Sequence, residues 1–450
     1  MPLKYKVAVV TVAALFIDLL DLTIVNIAVP ALRGEFDTPI ARVQWAVTAY
    51  VLVVAAIMPA SGWAADRFGS KRIFLFALAI FTAGSALCAS AWDVDALITA
   101  RALQGVGGGM LVPVGMALLF RAFPEDERAK ASAILSVPAA AAPALGPLLG
   151  GAFVDTIGWR WVFVINVPIG ILAFVLALFW LDEHRVERVG RLDVPGWMAG
   201  ATGLALVTLA LSNASDGSFV QPVVLGPFSF GLVALALFIR IELRTDAPMV
   251  DLGMFTRRPF ALGNATMFLA SAGFGALLFA LPLFLQGPYG LSVRATGLLL
   301  ACHAVGIILS TITAPKLLRL IETRALLGSG LTGSAVATAA FAMFSENTPP
   351  PALGVVLLVG GASFGLLIVP LQTVPFDCMN NDSIARGTGI LGVVRQLGVA
   401  LGTAAVSVPL GHALAGQGFP SAFVLAAVLT LVALPTAIAI PRFVRQSAHQ

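Results

Sequence analysis

Charge is what this chain has least of. Asp, Glu, Lys and Arg make up 11% of its 450 residues, against roughly 25% in soluble domains. That scarcity excludes an ordinary water-solvated globular surface. Cysteine is almost absent: Cys88, Cys302 and Cys378 lie far apart, with no C-x-x-C pair. A disulfide framework and a thiolate metal site are thereby excluded, and packing is the expected role of each thiol. No H-E-x-x-H and no Walker-type G-x-x-x-x-G-K-[ST] occurs, and no soluble domain is attached that could hold a nucleotide. An enzyme and an ATP-driven pump are both disfavoured, and neither ATP nor nucleic acid is an expected partner, despite a net charge of +4.

What the chain has instead is apolar length. Hydrophobic residues make up 59% and the mean hydropathy is +0.95. Apolar stretches of about 20 residues recur from end to end, the pattern of helices crossing a ~30 Å hydrocarbon core. A transmembrane barrel would show alternating stretches of ~10 residues. The expected class is an all-α integral membrane protein, with the first apolar run kept as a helix and not cleaved as a leader.

Fourteen spans are predicted, near 7–30, 42–65, 72–91, 96–120, 130–154, 160–181, 195–213, 222–240, 258–286, 295–314, 325–345, 352–374, 385–411 and 419–441. With a cytoplasmic N-terminus, only Arg33, Arg42, Arg160 and Arg294 of the 27 Lys and Arg residues fall in outer loops. Arg101 and Arg395 fall inside helices, and the rest lie on the inside. That asymmetry fits an even number of spans and both termini cytoplasmic. The loop "GWAADRFGSKR" (Gly62 to Arg72) has an echo in "APKLLRLIETR" (Ala314 to Arg324), which suggests two related bundles. The predicted division is 1–181, a six-helix bundle; 182–257, a linker with two added spans; and 258–450, a second six-helix bundle.

The informative charges lie within the membrane. "FIDLLDLTIVNIAVP" (Phe16 to Pro30) places Asp18 and Asp21 on neighbouring positions of one helix face, with Asn26 within a ~140° arc of both. A rise of 1.5 Å per residue puts Asp21 about 21 Å above the inner surface and Arg101 at about 22 Å. Two opposite charges at one depth are expected to face the bundle interior and pair. Asp18 has no evident partner of its own. Burial favours a protonated carboxyl group and a nearby arginine an ionised one, so motion relative to Arg101 would load and release a proton. A purely structural Asp–Arg pair is the alternative. Arg395 reads either as a cross-bundle partner or as a backbone-bonded residue; His303 as a proton carrier or a hydrogen-bonded packing residue; Gln104 and Gln372 as ligand or interhelical contacts. The glycines of "RALQGVGGGM" sit in an apolar run with no preceding strand, so they permit close helix contact and do not bind a nucleotide.

Four stretches resemble the major facilitator superfamily, and within it the fourteen-helix drug:proton antiporters. "GWAADRFGSKR" is similar to the loop motif of the superfamily, with Gly62, Asp66, Arg67, Gly69, Lys71 and Arg72 as gating residues. "LITARALQGVGGG" resembles the helix 4 motif with its basic residue at Arg101. "APALGPLLGG" resembles the antiporter motif of helix 5, carried by Gly146, Pro147, Gly150 and Gly151, with Ala142 where glycine is frequent. "LLDLTIVNIAVP" resembles the first-helix motif, with Asp21 at its acidic position; Asp18 is a departure from it. The resemblance implies two six-helix bundles rocking about a central cavity, no cofactor, and energy drawn from the proton gradient. It further implies Asp66 near the start of helix 13, just after Asp382 and Ser383, and Lys71 and Arg72 in cross-bundle pairs or on anionic lipid. The expected activity is export of small lipophilic, cationic compounds across the cytoplasmic (inner) membrane, with protons and membrane lipids as the other partners. Tyr50, Phe274, Phe279, Phe364 and Gln372 are the cavity candidates. An exporter of one metabolite, lipid or endogenous antibiotic remains open, and more remotely a receptor or scaffold that transports nothing.

Overall fold

A computed structural model describes residues 2–124, 127–186, 190, 192–213, 221–245, 252–345, 347–376, 384–411 and 418–441. In chain order the helices are α1 (Leu3–Phe36), α2 (Ile40–Phe68), α3 (Ser70–Ala89), α4 (Val94–Ala122), α5 (Arg128–Thr156), α6 (Trp161–Val164), α7 (Asn166–Trp180), α8 (Val194–Asn213), α9 (Pro222–Glu242), α10 (Arg258–Gln286), α11 (Val293–Leu320), α12 (Thr323–Ala340), α13 (Pro350–Thr373), α14 (Ile384–Gly411), α15 (Gly418–Leu431) and α16 (Leu434–Ala439). Each predicted range is helical. Among the described residues, 12 helical spans are long and apolar enough to cross a membrane. The chain is a multi-pass membrane protein.

Helix is the form these stretches must take, because backbone N–H and C=O groups have no water to bond within a bilayer. The ends follow local chemistry. Asp93 and Ser292 cap α4 and α11 by accepting from Ala96 N (2.7 Å) and Ala295 N (3.2 Å). Proline opens α9, α10 and α13, where a missing N–H costs nothing. Two predicted single spans are broken: 160–181 turns at Ile165 between α6 and α7, and 419–441 at Val432–Ala433 between α15 and α16.

The repeat seen faintly in the sequence is plain in the packing. Within the first bundle α2 and α3 pack on α4, α1 on α5, and both α1 and α3 on α7; within the second α11 and α12 pack on α13, α10 on α14, and both α10 and α12 on α15. The bundles meet through α5 against α11 and α2 against α14, which are equivalent pairs under the repeat. α8 packs on α2 and α14 at the seam, and α9 packs on α8.

One buried cluster joins both bundles at the end where the chain starts. It runs from Val7, Leu15, Phe74 and Phe120 to Phe260, Leu331, Leu371 and Ile440. Towards the opposite end the core divides into a first-bundle cluster, with Ile24, Val43 and Phe163, and a separate second-bundle cluster, with Leu281, Phe284, Leu357 and Phe423. The bundles are therefore closed together at the terminal face and parted at the far face. Ser132 Oγ donates to Gln372 Oε1 (2.6 Å) and Thr388 Oγ1 to Pro113 O (3.1 Å) across the closed half. Salt bridges Arg42–Asp95 (2.5 Å) and Arg160–Glu35 (3.0 Å) link helix ends of the first bundle at the far face.

Candidate functional site

The site lies where the joined core gives way to the parted one. Asp18 and Asp21 sit on α1 between Ile17 of the joined cluster and Ile24 of the far one, and they are 4% and 0% exposed. A carboxylate so buried needs donors. Asp21 is paired with Arg101 Nη1 of α4 and also accepts from Gln104 Nε2 (3.0 Å) and Asn166 Nδ2 (3.0 Å). Arg101 spends its other donors on Gln104 Oε1 (2.8 Å) and Ala46 O (3.1 Å), and its guanidinium stacks 4.1 Å from the Tyr50 ring. Asn166 reaches on to Ser85 Oγ (3.2 Å). Asp21 is thus the centre of a network drawn from α1, α2, α3, α4 and α7.

Asp18 is held differently. It accepts from Tyr50 Oη (2.6 Å), and Arg395 of α14, in the other bundle, lies within electrostatic reach. Arg395 is partly exposed where Asp21 and Arg101 are sealed. Of the two carboxylates, Asp18 has fewer donors and faces the opposite bundle, so it has the freer lone pairs.

Gly108 makes this arrangement possible. A Cβ there would stand 2.7 Å from Asp18 Oδ1 and collide with the Tyr50 hydroxyl. Gly105 and Gly107 serve helix packing as expected: a Cβ at Gly105 would stand 2.8 Å from Tyr50 O, and one at Gly107 2.6 Å from Phe81 N.

Other expected site residues are distributed as follows. Asn26 does not join the aspartates; it is exposed and donates to Leu22 O of its own helix (3.1 Å). Its direction on α1 falls between the faces used by α2 and α5, two of the helices that touch the other bundle. Tyr50 is fully buried on Asp18 and lines no open cavity here. Gln372 is a cross-bundle tie in the closed half. Phe274 and Phe364 stack at 4.4 Å, with His303 6.2 Å from Phe274, while Phe279 is partly exposed on α10. His303 Nδ1 meets Leu357 O (3.1 Å), which joins α11 to α13, and its Nε2 has no hydrogen-bond partner. A hydrolase-like G-x-S-x-G stretch, GASFG, runs from Gly361 to Gly365. It lies in the middle of α13 and Ser363 Oγ bonds Val359 O (2.9 Å), so no nucleophile elbow is formed.

At the terminal face Asp66 is buried and accepts from Arg121 Nη2 (3.2 Å), whose Nη1 donates to Ser70 Oγ (2.7 Å). Asp382 and Ser383, its expected neighbours, lie outside the described residues. Gly69, at φ 102, makes the turn into α3. Arg72 Nε pairs with Glu183 (3.5 Å) in the linker after α7, and Glu183 also accepts from the Lys71 backbone N (3.0 Å). Arg67 is exposed and Gly62 buried near the end of α2. On α5, Gly146 and Gly150 press on Thr23, Ile24 and Ile27 of α1, while Gly151 faces open space; the Pro147 side chain lies outside the described residues.

Comparison with known proteins fits this architecture. The family model described as Major Facilitator Superfamily matches residues 11–403. The chain is 32% identical over 411 residues to the "Multidrug resistance protein B homolog" of Mycobacterium tuberculosis, covering 90% of this chain and 76% of that one. It is also 32% identical over 397 residues to the "Putative multidrug resistance protein MdtD" of Klebsiella pneumoniae, covering 88% and 84%. Among solved structures it is similar to the human organic anion transporter MFSD10 (TETRAN), with TM-score 0.70, 16% identity, and coverage of 97% and 100%. The proton:xylose symporter XylE follows, with TM-score 0.67, 15% identity, and coverage of 98% and 96%.

Proposed function

Because this chain belongs to the major facilitator superfamily, and is thus a membrane transporter, we propose that it exports small lipophilic, cationic compounds from the cytoplasm in exchange for protons. The closed terminal face is then cytoplasmic, the parted face external, and the membrane the cytoplasmic (inner) one. One observation carries the reading: two buried carboxylates at the junction of the closed and parted halves, one saturated with donors and the other not.

The roles divide accordingly. Asp21, with Arg101, Gln104 and Asn166, is a fixed polar post that holds α1, α4 and α7 in register. Asp18 is the exchange site. A proton or a cationic substrate occupies it in turn, and Tyr50 swings its hydroxyl between donating to the carboxylate and solvating the neutral acid. Arg395 approaches or recedes with the second bundle, so its field at Asp18 depends on the conformation. A binding free energy that differs between two states is what couples a ligand to a transition. Exchange of one proton for one monovalent cation moves no net charge, so it draws on the pH difference alone, and each pH unit supplies about 1.4 kcal/mol, a tenfold substrate gradient.

The test is dye efflux from proteoliposomes with an imposed pH gradient. Asp18→Asn should bind a lipophilic cation poorly and lose gradient-driven efflux, and a protonophore should abolish efflux by the wild type. Undiminished pH-driven efflux in Asp18→Asn would remove Asp18 from the exchange role.

A further inference from the structure

A second site lies away from the vestibule, at the seam where α8 and α9 meet the two bundles. A cavity of about 480 Å³ opens there, lined by Pro59 of α2, Leu204 of α8, Phe238 and Ile239 of α9, Phe255 before α10, and Val393 of α14, together with neighbours of the same kind. Its lining is apolar throughout. Ile239 and Leu243 on its rim are 47% and 69% exposed, so it opens sideways and away from the core.

Three features define what fits. The lining on α14 runs from Gly389 to Leu397 and that on α9 from Leu235 to Leu243, each eight residue steps or ~12 Å of helix. One leaflet's half of a ~30 Å hydrocarbon core is ~15 Å deep. The cavity also ends at the terminal face, where exposed Arg240 and Arg244 flank the lining residues of α9 and exposed Arg257 and Arg258 follow Phe255. Finally, among the described residues no carboxylate lines the slot. Asp193 accepts from Gly196 N (3.0 Å) and Thr245 Oγ1 (3.3 Å), and Glu242 is buried beside Gly196. A slot whose described lining is apolar and holds no acid, with arginines beyond it, suits a lipophilic cation badly.

We propose that this cavity is a binding site for an anionic phospholipid of the terminal-face leaflet, its acyl chain in the slot and its headgroup towards the exposed Arg240, Arg244 and Arg258. Such a lipid wedges the α8–α9 pair against the α2–α14 seam. That seam is the one where Met58 Sδ would stand 3.1 Å from a Cβ at Gly392, so bound lipid favours the conformation closed at this face. The site stands on the fold and not on the choice of cargo or on proton coupling.

Native mass spectrometry of the full-length protein, exchanged into mixed phosphatidylglycerol and phosphatidylcholine, tests it. The wild type should retain one phosphatidylglycerol more than a variant filled from α14 (Val393→Phe) or from α9 (Ile239→Trp). Arg244→Gln with Arg258→Gln, both at exposed positions that leave the fold intact, should lower the preference for phosphatidylglycerol over phosphatidylcholine by about fivefold for each arginine. Added phosphatidylglycerol should raise the melting temperature of the wild type and not of the filled variants. Equal lipid retention in wild type and both filled variants would overturn the proposal. So would displacement of the lipid by a lipophilic cation with no effect of the arginine substitutions, which would make the cavity a cargo site.

Discussion

Gly108→Ala tests the geometry of the carboxylate site with one methyl group. Its Cβ would stand 2.7 Å from Asp18 Oδ1 and nearer still to the Tyr50 hydroxyl, and α4 cannot recoil because Gly107 is already pressed on Phe81 of α3. Overpacking of this kind costs about 1–3 kcal/mol, and loss of the Tyr50–Asp18 bond about 1.5–3 kcal/mol. Alanine's better helix propensity returns about 1 kcal/mol, leaving a net loss of about 1.5–5 kcal/mol by these terms. The assay is a double-mutant cycle on unfolding in detergent, in wild-type and Tyr50→Phe backgrounds. Removing the hydroxyl removes the closest of these contacts and the bond, though not the approach to Asp18 Oδ1, so Gly108→Ala should cost at least 1 kcal/mol less in Tyr50→Phe, within the range of coupling for touching residues. Equal costs in the two backgrounds would refute the placement of Tyr50 over Gly108.

Asp21→Asn should destabilise by about 3–5 kcal/mol, since it strands Arg101 in a sealed site, and Asp21→Asn with Arg101→Leu should recover part of that loss in the same unfolding assay. Gly146→Ala, whose Cβ would lie 2.8 Å from Thr23 Cβ, should lower the melting temperature, whereas Gly151→Ala, with nothing within 4 Å, should leave it unchanged or raised. Outside the membrane, Lys4 and then Lys130 hold the Glu127 carboxyl below its ordinary value of 4.5. A depressed pKa gives stabilisation that is present above pH 4.5 and lost as pH falls through the folded value. The difference in melting temperature between wild type and Glu127→Gln should therefore be small but measurable at pH 7 and vanish in strong acid.

The Asp21–Arg101 pair was legible in the sequence because depth along a membrane helix is fixed by its 1.5 Å rise, and two charges at one depth have few other partners. Gln104 was left with two readings, a ligand contact or an interhelical one, and its bond to Asp21 favours the interhelical one. Asn166 was not legible: it sits just after the break at Ile165, and a register counted through a continuous helix misplaces it. Gly108 was hidden among three other glycines, since composition does not say which one lies under a hydroxyl. His303 and Gln372 were each left with two readings, and their hydrogen bonds to Leu357 O and Ser132 Oγ favour the packing and interhelical ones. The repeat left only Arg67 with Arg319 and Arg72 with Arg324 in the sequence, because helix pairing needs size and apolarity more than identity; the equivalent packing partners carry it instead. Glu183 was missed because a carboxylate in a linker has no periodicity to mark it, and only the fold brings it to the start of α3.

The central claim, that one of the two aspartates exchanges a proton for a cation while the other is a structural post, is tested most directly by substrate-induced proton release from purified protein in weakly buffered detergent. Cationic, neutral and anionic candidates would be compared in the wild type, Asp18→Asn and Asp21→Asn. The account predicts release by cations alone, lost in Asp18→Asn and kept in whatever fraction of Asp21→Asn remains folded. Release that persists in Asp18→Asn and disappears in well-folded Asp21→Asn would contradict it.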